Sequence, residues 1–282
     1  MSRLQTQIAD PMNRYQAGLA VASVGLLAAF VSTGFQLSSP LAVAGLALTA
    51  AIAERVRVRL GTEMEASISL VPTVFTAVLF GPVAAMLVAG ASFLADFPPL
   101  LRGERREMAL ARGRPFLKWG IYTCTRALTG GAAGIAAAAV VTLFDSAVAG
   151  VTLATLVAAF IAEPLDVGFV ALTMKFRGLR SIEALRALAP VTLASIPLYT
   201  PVIAVLCIAY RELSAWTLPL FFVPALAAQR LFALYQQQRR LTDDLVGVNA
   251  RLEAVNLSFA SALVATLDAR DRYTAGHSAA VA

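Results

Sequence analysis

The sequence predicts an all-α membrane protein, a polytopic transmembrane helical bundle of about eight spans that continues into a cytoplasmic coiled-coil helix. Hydrophobic residues make up 59% of the 282 residues, and only 14% are charged. Soluble domains have about 45–50% apolar and about 25% charged residues. The apolar residues are grouped in long blocks, and the mean hydropathy is +0.73. This composition excludes a soluble enzyme filling the whole chain, a disordered chain and a secreted disulfide scaffold.

Residues 1–16 are polar and precede the first apolar block. A signal peptide has a shorter polar start and a small-residue cleavage site after its apolar run. Neither feature is clear in this segment. The sequence therefore predicts a cytoplasmic N-terminal tail over 1–16 and a transmembrane bundle over 17–232.

Eight apolar blocks follow one another along the bundle. They cover approximately residues 17–32, 35–53, 66–80, 83–97, 116–144, 148–174, 188–209 and 215 to beyond 231. Crossing the hydrocarbon core takes about 20 helical residues, and the third and fourth blocks are shorter than that. We expect these two blocks to tilt, to thin the bilayer, or to form a re-entrant hairpin around Gly81-Pro82. Asp96, at the end of the fourth block, is expected to contact solvent.

The basic residues are concentrated in alternate loops, which predicts the orientation of the chain. If the N-terminus is inside, the loops 54–59, 98–115 and 175–187 are cytoplasmic and carry nearly all the loop arginines and lysines, whereas the outer turns carry only Arg211. This asymmetry predicts a multi-pass protein of the inner (plasma) membrane with both termini in the cytoplasm. The net charge of +6 then suits anionic lipid headgroups, so we expect the lipid bilayer as partner and no nucleic acid.

A heptad pattern follows the last apolar block and predicts a coiled-coil linker over 233–259. Apolar residues recur at alternating steps of four and three, with one polar member. The positions are Leu234, Gln238, Leu241, Leu245, Val248, Leu252, Val255 and Phe259. This pattern favours a parallel coiled coil and hence a homodimer. The alternative is a single amphipathic helix packed on its own domain.

Three charged residues lie inside the predicted spans. Counted from Lys118 at 1.5 Å per residue, Arg126 lies about 12 Å into the fifth span. Counted from Lys175, Asp166 and Glu163 lie about 13 and 18 Å into the sixth. The two spans are antiparallel neighbours joined by a short turn. We therefore predict that Arg126 pairs with Asp166 or Glu163.

The three charged residues inside the predicted spans have two interpretations. They form either an ion pair that fixes helix register or an intramembrane site for a ligand or proton. Pro164 removes a backbone hydrogen bond beside Glu163, which predicts a kink there. Tyr122, Thr123 and Thr125 are candidates to line the same cavity.

The C-terminal residues 262–282 read ALVATLDARDRYTAGHSAAVA. They resemble the first motif of HD-GYP domains, A-L-x-A-R-D-x-Y-T-x-G-H-S-x-x-V-A, a branch of the HD phosphohydrolase superfamily. The resemblance implies that 260–282 begins an HD-GYP domain and that His277 is a metal ligand. It also implies a divalent metal of the iron or manganese type and cyclic di-GMP as substrate of the complete domain. The later motifs of the family do not occur in these 282 residues. We therefore expect no catalytic residue and no cofactor in this chain. We expect the chain to be part of a longer enzyme; the alternative is a natural truncation that lost its output domain.

Three functions remain open from the sequence. The first is a signal-input module that relays a membrane or small-ligand signal through the coiled coil to the phosphohydrolase. Residues 66–70 and 79–85 resemble membrane-associated sensor regions that precede HD-GYP and GGDEF domains, which favours the first function. The second is a small-molecule-binding or transport protein, because the same residues are also similar to substrate-binding components of vitamin transporters. A dimerising membrane anchor without sensing is a third reading.

Overall fold

The computed structural model describes residues 10–55, 58–60, 64–98, 114–144, 146–178 and 181–270, and this part of the chain is almost entirely helical. The all-α fold class is therefore confirmed. The described residues form eight α-helices and one two-stranded hairpin. The helices are α1 (Pro11–Ser32), α2 (Pro40–Arg55), α3 (Leu70–Leu79), α4 (Gly81–Ala91), α5 (Pro115–Val141), α6 (Ala147–Phe176), α7 (Ser181–Glu212) and α8 (Thr217–Arg270). The strands are β1 (Val58–Leu60) and β2 (Met64–Ala66).

Each of the eight apolar blocks contributes a helix. Five of these helices, α1, α5, α6, α7 and α8, are long and apolar enough to cross a membrane, so the chain is a membrane protein. The third and fourth blocks give the short helices α3 and α4, of 10 and 11 residues. The number of complete spans stays a prediction.

Local sequence signals fix several helix ends. Asp10 caps α1 by accepting a hydrogen bond from the Met12 amide at 3.0 Å, and Pro11 occupies the first turn, where no amide hydrogen is needed. Ser146 caps α6 in the same way through the Ala149 amide. Between α3 and α4 the chain reverses at Gly81, whose φ of +80° is a conformation that other residues adopt only at a cost.

The segment after α2 differs from the sequence prediction. Instead of a charged loop over 54–59 and a helix from residue 66, β1 pairs antiparallel with β2, with Val58 opposite Ala66 and Leu60 opposite Met64. α3 begins only at Leu70. The alternation of apolar and charged residues in 56–60 is a period-two pattern typical of a strand, although its arginines also suit a loop.

The basic loop after α6 is also shorter than predicted. α6 continues to Phe176, and α7 already begins at Ser181. Glu183 and Arg186 therefore belong to the first turns of α7 and not to a loop. The predicted loop over 98–115 falls mainly on residues outside the described ranges.

Small residues bring α4 and α5 into close contact. A Cβ atom added to Gly130 would lie 2.5 Å from the Ala85 carbonyl oxygen, and one added to Gly134 would overlap the backbone of Pro82. Glycine is therefore required at both positions for the two helix backbones to approach. The Gly-rich stretch in α5 is thus a packing surface.

The core lies next to this contact and contains aromatic side chains from several helices. Phe75 of α3 is fully buried. Its ring makes edge-to-face contacts with Phe80, with Tyr210 of α7 and with Phe222 of α8. Aromatic edge-to-face pairs add about 0.5–1.5 kcal/mol to the effect of burial alone. These contacts fix α3, α7 and the start of α8 against each other.

The chain divides into two compact units, with the boundary between Arg230 and Leu231. In the second unit α8 continues as a single helix to Arg270. The seven apolar heptad side chains, Leu234, Leu241, Leu245, Val248, Leu252, Val255 and Phe259, are 43–68% exposed in the single chain. The predicted coiled coil and its homodimer stay predictions.

Candidate functional site

Arg126 and Asp166 form an ion pair between neighbouring apolar helices. The Arg126 Nε atom on α5 lies 3.4 Å from the Asp166 Oδ1 atom on α6. The two side chains are 22% and 25% exposed. Of the two partners that the sequence left open, the structure gives Arg126 the aspartate. This agrees with their similar depths of about 12 and 13 Å along antiparallel helices.

Glu163 contacts a third helix instead. Its Oε1 atom accepts hydrogen bonds from the Tyr199 hydroxyl at 3.0 Å and from the Ser195 hydroxyl at 3.3 Å, both on α7. It also interacts electrostatically with Arg126 and Asp166. Glu163 therefore connects the ion pair to α7.

Sequence reasoning missed Tyr199 and Ser195. The two are four residues apart, so they lie on one face of α7, as neighbours one turn apart do in a helix. This pair of polar side chains one turn apart was the available signal. The sequence could not show that this face of α7 meets Glu163.

Glu54 is a further charged residue of this region, and the sequence assigned it to a loop. It lies in the last turn of α2, is only 4% exposed, and accepts a hydrogen bond from the hydroxyl of Ser69, which directly precedes α3. It also interacts electrostatically with Arg126 and with Asp166. The signal for it was its position directly after the apolar run of α2.

We refer to Arg126, Asp166, Glu163 and Glu54 as the polar cluster. It contains one guanidinium and three carboxyl groups, carried by α2, α5 and α6, and it is bonded to α7 through Glu163. A charged side chain at the middle of a transmembrane helix costs about 2.5–3.5 kcal/mol on insertion scales. The ion pair and the hydroxyl donors offset part of that cost. Such a cluster can hold a polar ligand, exchange a proton or change ion-pair partners.

The three other predicted lining residues have mainly local contacts. The Tyr122 ring stacks on Phe93 with centroids 5.5 Å apart. The Thr125 hydroxyl donates to the Tyr122 carbonyl within α5. The Thr123 hydroxyl is buried without a hydrogen-bond partner among the described residues. Tyr122 precedes Arg126 by four residues, so the two are neighbours one turn apart on α5.

Pro164 lies inside α6, which continues through it from Ala147 to Phe176. The kink predicted beside Glu163 stays a prediction. The hydrogen bonds of Glu163 to α7 place a helix-to-helix contact directly beside this proline.

The expectation for Asp96 is wrong. This residue is 3% exposed and ends the short 3₁₀ turn Leu94–Asp96, which contacts α2. The turn is held against α5 by the Trp119 indole, which donates to the Phe93 carbonyl at 2.8 Å. This local folding-back covers a carboxyl group that the sequence placed in solvent.

His277 lies outside the described residues, so its predicted role as a metal ligand stays a prediction. Among the residues that the structure describes, no group of three or more histidine, cysteine, aspartate or glutamate side chains is arranged to hold a metal ion.

Comparisons of the chain with protein-family models, with curated proteins and with solved structures find no match.

Proposed function

We propose that this chain is a membrane-embedded signal-input module of an HD-GYP-type cyclic di-GMP phosphodiesterase. The observation that carries the proposal is α8, one helix of 54 residues that begins in an apolar segment and ends at Arg270. It contains the heptad pattern, and it reaches the residues where the HD-GYP-like motif begins. A continuous helix transmits rotation or translation along its length, which suits a relay.

The polar cluster is the proposed origin of the signal. A ligand or proton shifts an equilibrium between two conformations only if it binds one of them better. Charged groups held among apolar helices give such a difference, because each change of charge or partner alters the cost of keeping them there. The ion pair between Arg126 and Asp166 is the contact that we expect to differ between the two conformations.

The heptad stretch is proposed to pair with that of a second copy. In this homodimer, a change in the pose of α8 alters how the two copies of the following domain meet. The resemblance of 262–282 to the HD-GYP motif supports a metal-dependent hydrolase as the receiver of the signal, with cyclic di-GMP as substrate. His277 would supply one of the three or more ligands that such a metal site needs.

Hydrolysis of cyclic di-GMP tests this proposal. The complete reading frame that contains this chain is expressed in membranes, and the release of the linear dinucleotide or GMP is measured in the presence of Fe²⁺ or Mn²⁺. We expect hydrolysis in the wild type and its loss in His277→Ala, with Arg272→Ala, at a variable position of the motif, as a neighbouring control. Absence of hydrolysis in the wild type, or equal rates in His277→Ala and wild type, would contradict the proposal.

The polar cluster also favours a second candidate, a small-molecule-binding or transport protein. Charged residues within membrane helices often mark substrate pathways. Uptake of riboflavin, thiamine and biotin into proteoliposomes separates the two functions. Accumulation that Asp166→Asn abolishes would favour transport, whereas no accumulation of any of the three would favour the signal-input module.

A further inference from the structure

We propose that Gln229 is a positioning residue that attaches α8 to the polar cluster by way of the end of α2. This inference rests on the proposed function and names the contact through which the signal would reach α8.

Gln229 is an exception on its helix. Beyond Phe222, it is the only buried residue of α8 among those whose side chains the structure describes, and it is 7% exposed. Its neighbours Ala228 and Arg230 are exposed. An amide side chain at the only buried position of this long stretch indicates a specific polar contact, because burial of an amide without hydrogen bonds is costly.

That contact is a hydrogen bond to α2. The Gln229 Nε2 atom donates to the Ala53 carbonyl oxygen at 3.0 Å. α2 ends at Arg55, so the Ala53 carbonyl is among the last four of the helix, which have no amide partner within it. Gln229 thus supplies a donor to the end of α2 from a residue 176 positions away in the chain.

The next residue along α2 is Glu54, which belongs to the polar cluster. Its carboxylate interacts electrostatically with Arg126 and Asp166. A single peptide unit therefore separates the charged site from the acceptor of the Gln229 amide. The Ala53 carbonyl belongs to the peptide unit that joins it to Glu54, so a shift of Glu54 on a change of charge at Asp166 would displace this carbonyl. Gln229 is the side chain of α8 that donates to it.

Labelling of a cysteine in α8 tests this coupling directly. The full chain is kept in membranes, Cys124→Ser and Cys207→Ala remove the native thiols, and Arg230→Cys provides the exposed position. The maleimide-labelling rate is then compared between backgrounds with and without Asp166→Asn. We expect Asp166→Asn to change the rate about fivefold, the lower end of typical coupling between sites, and to have no effect once Gln229→Leu is added.

Two further variants separate coupling from folding. Gln229→Asn keeps the amide but shortens the side chain. Like Gln229→Leu, it should abolish the effect of Asp166→Asn on the labelling rate. Gln237→Leu makes the same substitution at an exposed glutamine of α8 and should leave the fivefold response intact. If the response to Asp166→Asn persists in both Gln229 variants, or is absent in the wild-type background, the proposed role of Gln229 is overturned.

Disulfide crosslinking through Leu245→Cys in the same thiol-free background tests the dimeric relay separately. If no crosslinked dimer forms while labelling at position 230 still depends on Gln229, the dimeric relay fails and the Gln229 coupling stands. If the dimer crosslinks but labelling is independent of Gln229, the relay stands and the Gln229 coupling fails.

Discussion

The Arg126 Nε atom lies 3.4 Å from the Asp166 Oδ1 atom and joins α5 to α6 within the apolar bundle. Asp166 is the partner of the guanidinium, Glu163 accepts a hydrogen bond from Tyr199 of α7, and Glu54 of α2 interacts electrostatically with Arg126. Charged or hydrogen-bonding side chains of four helices therefore belong to this one region. The predictions below follow from that arrangement and from the packing around it.

Breaking the ion pair from one side is expected to destabilise the bundle. Asp166→Leu leaves the Arg126 guanidinium without its partner, which should cost up to about 3 kcal/mol, the lower end for breaking a buried pair. The double variant Arg126→Leu/Asp166→Leu should recover most of that loss. Thermal unfolding in detergent measures both, with the exposed Asp244→Leu as control. Equal destabilisation in the single and double variants would contradict the account.

Removing the hydroxyl of Tyr199 should have a smaller effect. Hydrogen bonds between transmembrane helices contribute about 0.6 kcal/mol on average and rarely exceed about 1.7 kcal/mol. Tyr199→Phe should therefore lower the free energy of unfolding by about that average. Tyr210→Phe is the matched control, because its ring keeps its contacts with Phe75 and Phe80. If Tyr199→Phe lowers the free energy of unfolding no more than this control does, the hydrogen bond to Glu163 does not contribute to stability.

The contact of α4 with α5 predicts a strong positional effect of adding one methyl group. Gly134→Ala would force a Cβ atom into the backbone of Pro82 and should cost about 1–3 kcal/mol, as overpacking does. Gly168→Ala on α6 meets nothing within 4 Å and should be neutral or slightly stabilising. The yield of protein extracted in detergent and the midpoint temperature of its thermal unfolding measure the difference. Comparable behaviour of the two variants would refute the assigned packing.

The heptad pattern predicts where two copies of α8 meet. In the background without native thiols, Leu245→Cys and Leu252→Cys place cysteines at apolar heptad positions, where the two helices of a coiled coil meet. Asp243→Cys lies on the opposite side of the helix. Mild oxidation in membranes should give a covalent dimer for the first two and little for the third. A uniform yield at all three positions would indicate random collisions instead of a coiled coil.

The sequence predicted the helices and three of the four residues of the polar cluster. Long apolar blocks set the helix positions, because backbone groups in lipid must be hydrogen-bonded within the segment. Depth alone predicted that Arg126 pairs with Asp166 or Glu163, since a short turn fixes the relative height of antiparallel helices, and the structure shows the pair with Asp166.

The remaining part of the cluster depends on contacts between distant helices. Glu54 was assigned to a loop because a run of charges follows it, and only the structure shows that it is buried and bonded to Ser69. Ser195 and Tyr199 gave no signal of which helix they face. The hydrogen bond between Gln229 and Ala53 links residues far apart in sequence, and no local pattern specifies such a contact.

The rate of cyclic di-GMP hydrolysis by the complete reading frame in membranes, measured for wild type, Asp166→Asn and Gly168→Ala, tests the central claim most directly. The account predicts that wild type and Gly168→Ala hydrolyse the substrate at equal rates, and that Asp166→Asn changes the rate about fivefold or more, as expected for coupled sites. Equal rates in all three proteins would show that the polar cluster does not control the output. No hydrolysis above the level of His277→Ala would show that the output is not the proposed phosphodiesterase.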